Sequence, residues 1–152
     1  MGAYNSKVMN EKYGIHYTQE EKNEIINDIC RYGSYEVDQR LIAQWVNESG
    51  RTMDWYTDMM EAKGVHMFLE TDMKETLYMN KPQTHSVYRG EFKEMGPNLV
   101  GSQISNPVWV EYADEYDVNK LFEHTAKQLL QDADGRVTGV IIQRNSDSAY
   151  IQ

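Results

Sequence analysis

The sequence predicts an α+β fold, in which a helical layer and an irregular central region are followed by a C-terminal antiparallel β-meander. Three observations lead to this prediction. Capped amphipathic patterns of helical period fill much of the first 64 residues, prolines and glycines interrupt the chain between residues 71 and 107, and short apolar runs alternate with turn residues after residue 117. We therefore expect a mainly helical region over residues 1–116 and antiparallel strands over residues 117–152.

The first predicted helix begins after Thr18. The run Thr18–Glu21 is a capping box, in which the threonine hydroxyl accepts the Glu21 amide and the glutamate reaches back to the cap. Apolar residues then recur at helical spacing as far as Cys30. Gly33 follows them, and we expect it to end the helix in a left-handed conformation.

Two further helices are predicted before residue 65. One pattern begins after Ser34, carries its apolar residues on one face, and ends near Gly50. The next runs from about Thr52 to Lys63, with Gly64 as its stop. The sequence thus predicts three successive helices that form one layer.

The central region changes period and then loses it. Alternation of Val65, Met67 and Leu69 with less apolar neighbours predicts a short strand. No periodic pattern follows between Thr71 and Pro107, and a long irregular segment inside a compact domain is usually either a functional loop or a segment that needs a missing neighbour. About two helical turns are expected over residues 108–116.

The C-terminal part is predicted as a meander of three strands. The first strand covers Thr125–Gln131, and the second covers Arg136–Arg144 after a turn that ends in Gly135. A further turn leads into Ala149–Gln152 as the last strand. Gly135 is the residue expected to take a left-handed conformation.

Composition excludes several classes of function. The chain has 15 Lys and Arg against 24 Asp and Glu, a net charge of −9, so clustered basic residues for nucleic acid are not expected. Its apolar runs are far shorter than the roughly 20 residues that cross a bilayer, and we expect no membrane partner. Cys30 is the single cysteine, so no intrachain disulfide forms. The histidines share no ligand spacing, and no metal site is predicted.

The hairpin around Gly135 resembles a recurrent hairpin of the fumarate reductase/succinate dehydrogenase flavoproteins. In that family a hydrophobic strand and an acidic turn lead into G-R-V-x-G-V, which stands here as residues 135–140. The helix pair over residues 38–64, with its Asp54-Trp55 pair, also resembles the family and precedes the hairpin in the same order. The resemblance covers roughly residues 34–152.

The resemblance implies an internal piece of an FAD-dependent oxidoreductase. Residues 1–116 would be its helical capping and substrate-side region, and residues 117–152 would be strands of the parent's FAD domain. The family's dinucleotide motif, G-x-G-x-x-G, is not in this chain, so we expect the isolated chain to bind FAD weakly or not at all and to be inactive. Its expected partners are the FAD domain of the parent chain and a small-molecule substrate. The expected location is the cytoplasm. The isolated chain could also form a homo-oligomer.

The resemblance also suggests four site residues. The family transfers hydride between flavin and a small unsaturated acid or enone, with an arginine delivering the proton. His85 stands where a substrate-binding histidine would fall, and Tyr88 is placed similarly. Arg89 is the candidate catalytic arginine, and Ala126 would lie beside the FAD adenine. An arginine that the family places before the histidine is absent here, which puts fumarate itself in doubt.

Each prediction has a plainer alternative. The alternative for His85 is an ordinary loop histidine, and the alternative for Arg89 is an exposed loop arginine without a function. Trp45, Met59, Met60 and Trp109 are more simply interpreted as core packing. For the whole chain the alternative function is a free-standing, non-catalytic module that binds a ligand or a partner.

Overall fold

The computed structural model describes residues 2–71, 81–90 and 101–151, and it has the predicted α+β class. In chain order the elements are a π-helical turn, Val8–Lys12, then α1 (Gln19–Tyr32), α2 (Gln39–Glu61), β1 (His66–Leu69), β2 (His85–Tyr88), α3 (Ser102–Glu115), β3 (His124–Gln131), β4 (Val137–Arg144) and β5 (Tyr150–Ile151). The chain divides into two compact units, Met1–Glu111 and Tyr112–Gln152. The division falls within α3.

Helix α1 begins and ends where predicted, but its last turn is closed by different residues. The Thr18 hydroxyl accepts the Glu21 amide, and the Glu21 carboxylate accepts the Thr18 amide at 2.8 Å, so the capping box is confirmed. Gly33 is the predicted C-terminal cap, but its predicted left-handed conformation is wrong: its φ is −77°, and the left-handed residues are Ser34 at φ 53° and Tyr35 at φ 60°. The Ser34 and Tyr35 amides close a Schellman motif onto the last turn of α1.

Helix α2 is one continuous helix of 23 residues, so the predicted break at Gly50 is wrong. A Cβ at Gly50 would lie 2.4 Å from the Tyr4 carbonyl oxygen and 2.7 Å from that of Asn5. The glycine therefore permits close backbone approach and does not end the helix. Gly64, with φ 68°, is the predicted stop. Among the described helices, α2 included, none is both long and apolar enough to span a membrane.

The N-terminal segment belongs to the core of the first unit. Tyr4 and Met9 are buried together with apolar residues of α1 and α2. The Tyr4 ring meets Tyr17 edge-on at 5.7 Å and Trp45 at 5.3 Å between ring centroids. Burial raises the pKa of the Tyr17 hydroxyl to about 12. Residues before the first capping box thus supply packing that the helices alone lack.

Strands β1 and β2 form an antiparallel pair in which Leu69 faces His85 and His66 faces Tyr88. The prediction that residues 85–88 lie in an irregular loop is therefore wrong. Helix α3 also begins six residues earlier than residue 108 and contains Pro107. The rest of the predicted irregular centre, residues 72–80 and 91–100, lies outside the described residues.

The second unit is the predicted meander, with strand order β3-β4-β5. The Asp132 carboxylate accepts the amides of Asp134 and Arg136, and Gly135 has φ 79°, so the turn forms as expected. A register shift between Ala126 and Gln128 makes a bulge in β3. None of the described residues of this unit is buried.

Candidate functional site

His85 lies on the inward face of β2, where only 1% of its surface is exposed. Its Nδ1 lies 2.9 Å from the Gln83 carbonyl oxygen, and its Nε2 lies 2.7 Å from the Ser6 hydroxyl. A carbonyl can only accept, so we assign the ring proton to Nδ1, and Nε2 accepts the Ser6 hydroxyl proton. The Ser6 oxygen in turn accepts the Met9 amide at 3.2 Å. This chain of bonds joins the N-terminal segment to β2.

Burial lowers the pKa of His85, against the opposing effect of the Gln83 carbonyl. The ring is therefore neutral at pH 7. A nucleophilic serine and its general base must be accessible to a substrate. Ser6 is fully buried, so this Ser-His pair does not meet that requirement. The arrangement instead holds the imidazole in one tautomer and one orientation at the edge of a cavity.

That cavity, which we call the β2–α3 cavity, has a volume of about 360 Å³. Residues of α2, β2 and α3, together with Gly101 before α3, line it: Tyr56, His85, Ser86, Val87, Gly101, Ser102, Ser105, Asn106 and Trp109. The Tyr56 and Trp109 rings are stacked, 5.5 Å apart and inclined by 22°. None of these lining residues is a lysine, arginine, aspartate or glutamate. Among the described residues, the lining thus combines an aromatic wall with hydroxyl and amide groups, and none of these side chains is charged at neutral pH.

The predicted residues of β2 do not form one site. Tyr88 lies on the strand face opposite His85, with its ring 5.4 Å from the His66 ring and 5.9 Å from the Lys12 ammonium. Arg89 follows the strand and is exposed. Neither Tyr88 nor Arg89 lines the β2–α3 cavity. Of these three residues, the cavity wall includes His85 alone.

Ala126 belongs to the second unit. It is exposed on β3, pairs with Ile142 of β4, and immediately precedes the bulge at Lys127. At a bulge, backbone N–H and C=O groups are left out of the hydrogen bonds between strands. Such groups are available for a main-chain contact with a ligand. Its methyl side chain adds no chemistry.

A second concavity, which we call the aromatic groove, was missed by the sequence analysis. It has a volume of about 550 Å³ and includes all three tryptophans, Trp45, Trp55 and Trp109, in its wall. Trp109 was predicted as core but is 38% exposed, and Trp55 is 47% exposed. The sequence did not predict this groove, because Trp45 and Trp55 lie on one helix only when α2 continues through Gly50, where a break was predicted.

Among the described residues, no group of three His, Cys, Asp or Glu side chains is arranged so that it could bind a metal ion. Cys30 is a buried free thiol in the core of the first unit.

Comparison of the chain with protein-family models and with curated protein sequences finds no match.

Proposed function

We propose that this chain is a segment of an FAD-dependent oxidoreductase similar to the fumarate reductase/succinate dehydrogenase flavoproteins. In this proposal it contributes substrate-side structure for hydride transfer between flavin and a small unsaturated acid or enone. The observation that carries the proposal is the second unit, a well-formed meander with no buried residue among those described.

A meander of this size needs an apolar face covered by another layer. Leu129 of β3 and Val140 of β4 pair directly across the strands, and they are 60% and 37% exposed. Tyr150 is also exposed, in β5. Full burial of such side chains contributes about 1.5–3 kcal/mol each, so a covering layer would stabilise the unit substantially. An FAD domain to which these strands belong is the covering layer that the G-R-V-x-G-V resemblance implies.

The first unit supports the substrate-side part of the proposal. It has its own core, which includes Tyr4, Met9 and Val46, and it carries the β2–α3 cavity. Small-molecule sites generally have volumes of about 300–1,000 Å³, a range that includes this cavity. We propose His85 as part of its wall, with Tyr88 and Arg89 as residues that would contact substrate only in the assembled parent.

The remaining assignments follow from the same proposal. FAD would be held chiefly by the parent's dinucleotide motif, with Ala126 contributing main-chain contacts near the adenine. The parent's FAD domain and the substrate would be the partners, and a reducing cytoplasm suits the single buried thiol of Cys30.

The test is to express this chain within its reading frame extended in both directions and to measure flavin absorbance per protein. We expect about one FAD per extended chain and little FAD on the 152-residue chain alone. An extended protein without the G-x-G-x-x-G motif, or one that purifies without flavin and does not take it up, would contradict the proposal.

Two matched variants test whether the FAD domain covers the face of the meander that carries Val140. Val140→Asp should reduce flavin retention by the extended protein, because it places a charge on a face that the FAD domain buries. Gln131→Asp, at the exposed turn end of β3, is the control and should retain flavin. Equal flavin content in the two variants would count against burial of this face.

The aromatic groove favours the second candidate, a free-standing module that binds a ligand or partner. Exposed aromatic side chains such as Trp55 are typical of binding surfaces. Natural start and stop codons at the two ends of this chain would support the module and contradict the flavoprotein proposal.

A further inference from the structure

We propose that the aromatic groove binds a small quaternary ammonium compound through its aromatic rings and the Glu48 carboxylate. Binding of an organic cation here goes beyond the proposed function and requires no flavin. The groove volume of about 550 Å³ lies within the range of about 300–1,000 Å³ that is usual for sites of small molecules.

The groove runs along one face of α2. Its lining residues on this helix recur at intervals of three or four positions, as residues on one helix face do, and they include Trp45, Glu48, Thr52 and Trp55. Glu48 and Trp55 are two turns apart, which is about 10 Å along the helix axis. The short side chain of Thr52 lies between them, so the carboxylate and the indole flank one part of the groove.

The aromatic rings of the wall favour a cation. The Trp55 and Trp109 ring centroids are 5.7 Å apart, and Tyr56 supports Trp109 from a stacked position at 5.5 Å. Both tryptophans are partly exposed in the groove. The face of an aromatic ring carries the negative part of its quadrupole and attracts a cation within about 6 Å, with tryptophan the strongest of the three aromatic residues.

Glu48 adds a full negative charge to this wall. Its side chain is exposed, and it forms no hydrogen bond or ion pair with any residue that the structure describes. Arg51, the next cation along α2, does not line the groove. The net charge of −9 also favours the approach of cations over that of anions.

The same wall favours a quaternary ammonium group over a primary one. A primary ammonium carries three N–H donors, each of which needs an acceptor when it leaves water. A quaternary ammonium has no N–H donor, and its methyl groups can pack directly on the indole rings. Aromatic side chains together with one carboxylate therefore suit a trimethylammonium group.

The experiment titrates the full chain with choline and with the neutral alcohol that has a tert-butyl group in place of the trimethylammonium group. Calorimetry measures the two affinities. Tryptophan fluorescence reports on the groove, because all three tryptophans of the chain line it. We expect choline to bind about tenfold more tightly than the alcohol, and we expect high salt to narrow this difference. Equal affinity, or no binding of either compound, overturns the proposal.

Glu48→Gln tests the role of the carboxylate. This variant should bind choline about fivefold more weakly and bind the alcohol almost unchanged, since only the cation interacts with the lost charge. Glu61→Gln removes the same charge from an exposed position of α2 outside the groove lining, so it is the matched control and should bind like wild type. Equal losses in the two variants would indicate a general effect of net charge and would overturn the site.

Trp55→Leu tests the role of the ring. Leucine keeps an apolar side chain but removes the ring face, so the preference for choline over the alcohol should decrease. Circular dichroism should give the wild-type spectrum for all three variants, because each changed side chain is at least partly exposed. An unchanged preference in folded Trp55→Leu would overturn the assignment. Flavin uptake by the extended protein is measured separately, so failure of this site would leave the proposed function standing.

Discussion

Gly50→Ala is expected to destabilise this protein, although the same change in an exposed helix would stabilise it. Alanine is favoured over glycine by about 1 kcal/mol in a helix interior. At this position the new methyl group would lie 2.4 Å from the Tyr4 carbonyl oxygen and 2.9 Å from the Asn5 carbonyl carbon, below the 3.0 Å that real Cβ contacts respect. Both neighbours are backbone atoms, which cannot rotate away as a side chain can.

The magnitude follows from two opposing effects. Overpacking a tight site costs about 1–3 kcal/mol, and contact with two successive backbone carbonyl groups places this site at the upper end of that range. The N-terminal segment must also shift, which disturbs the Tyr4 ring contacts with Tyr17 and Trp45. After the helix gain is subtracted, we expect a net loss of about 2 kcal/mol, or roughly 8 °C in Tm for a domain of this size.

Thermal and urea unfolding followed by circular dichroism measure the effect. Asn47→Ala is the matched control, because Asn47 is exposed one turn earlier on α2 and alanine should be neutral or slightly stabilising there. If Gly50→Ala raised Tm as Asn47→Ala does, the close approach between the N-terminal segment and α2 would be wrong.

Three further predictions concern hydrogen bonds. Ser6→Ala removes the donor at His85 Nε2 and should cost about 1–3 kcal/mol in urea unfolding, and an equally stable variant would show that this bond contributes nothing. Because burial lowers the pKa of His85 from its ordinary 6.5, the unfolded chain binds a proton that the folded chain does not. This contribution to stability is fully present above pH 6.5 and is lost as pH falls toward the folded pKa. The free energy of unfolding of His85→Gln should therefore depend less on pH below 6.5 than that of the wild type. Identical pH profiles of the two proteins would refute this role of His85. Asp132→Ala removes two turn bonds and should speed hydrogen exchange in β3 and β4 by about tenfold, whereas Asp134→Ala should not.

Local patterns in the sequence predicted the structure correctly where that structure depends only on neighbouring residues. The capping box at Thr18, the stop at Gly64 and the turn that ends in Gly135 all form as predicted, because each depends on hydrogen bonds or backbone angles within a few residues. The same locality explains why the strands of the meander lie within two residues of their predicted bounds.

Long-range contacts account for the predictions that were wrong. Gly50 has the composition of a helix stop, yet Tyr4 packs across it from 46 residues away and makes the glycine an interior residue. Strand β2 has no periodic signal of its own, because its four residues become a strand only by pairing with β1. His85 was identified as a candidate from its type and position, but nothing local predicts its bond to Ser6.

The sequence by itself determined the α+β class, the capped start of α1, the hairpin turn and an acidic chain with a single cysteine. Only the tertiary structure decided that α2 is continuous, that His85 is buried and neutral, and that a cavity lined by Tyr56, His85 and Trp109 lies between α2, β2 and α3. The physical reason is range: caps and turns are settled between residues a few positions apart, whereas burial and cavities depend on which distant segments pack together.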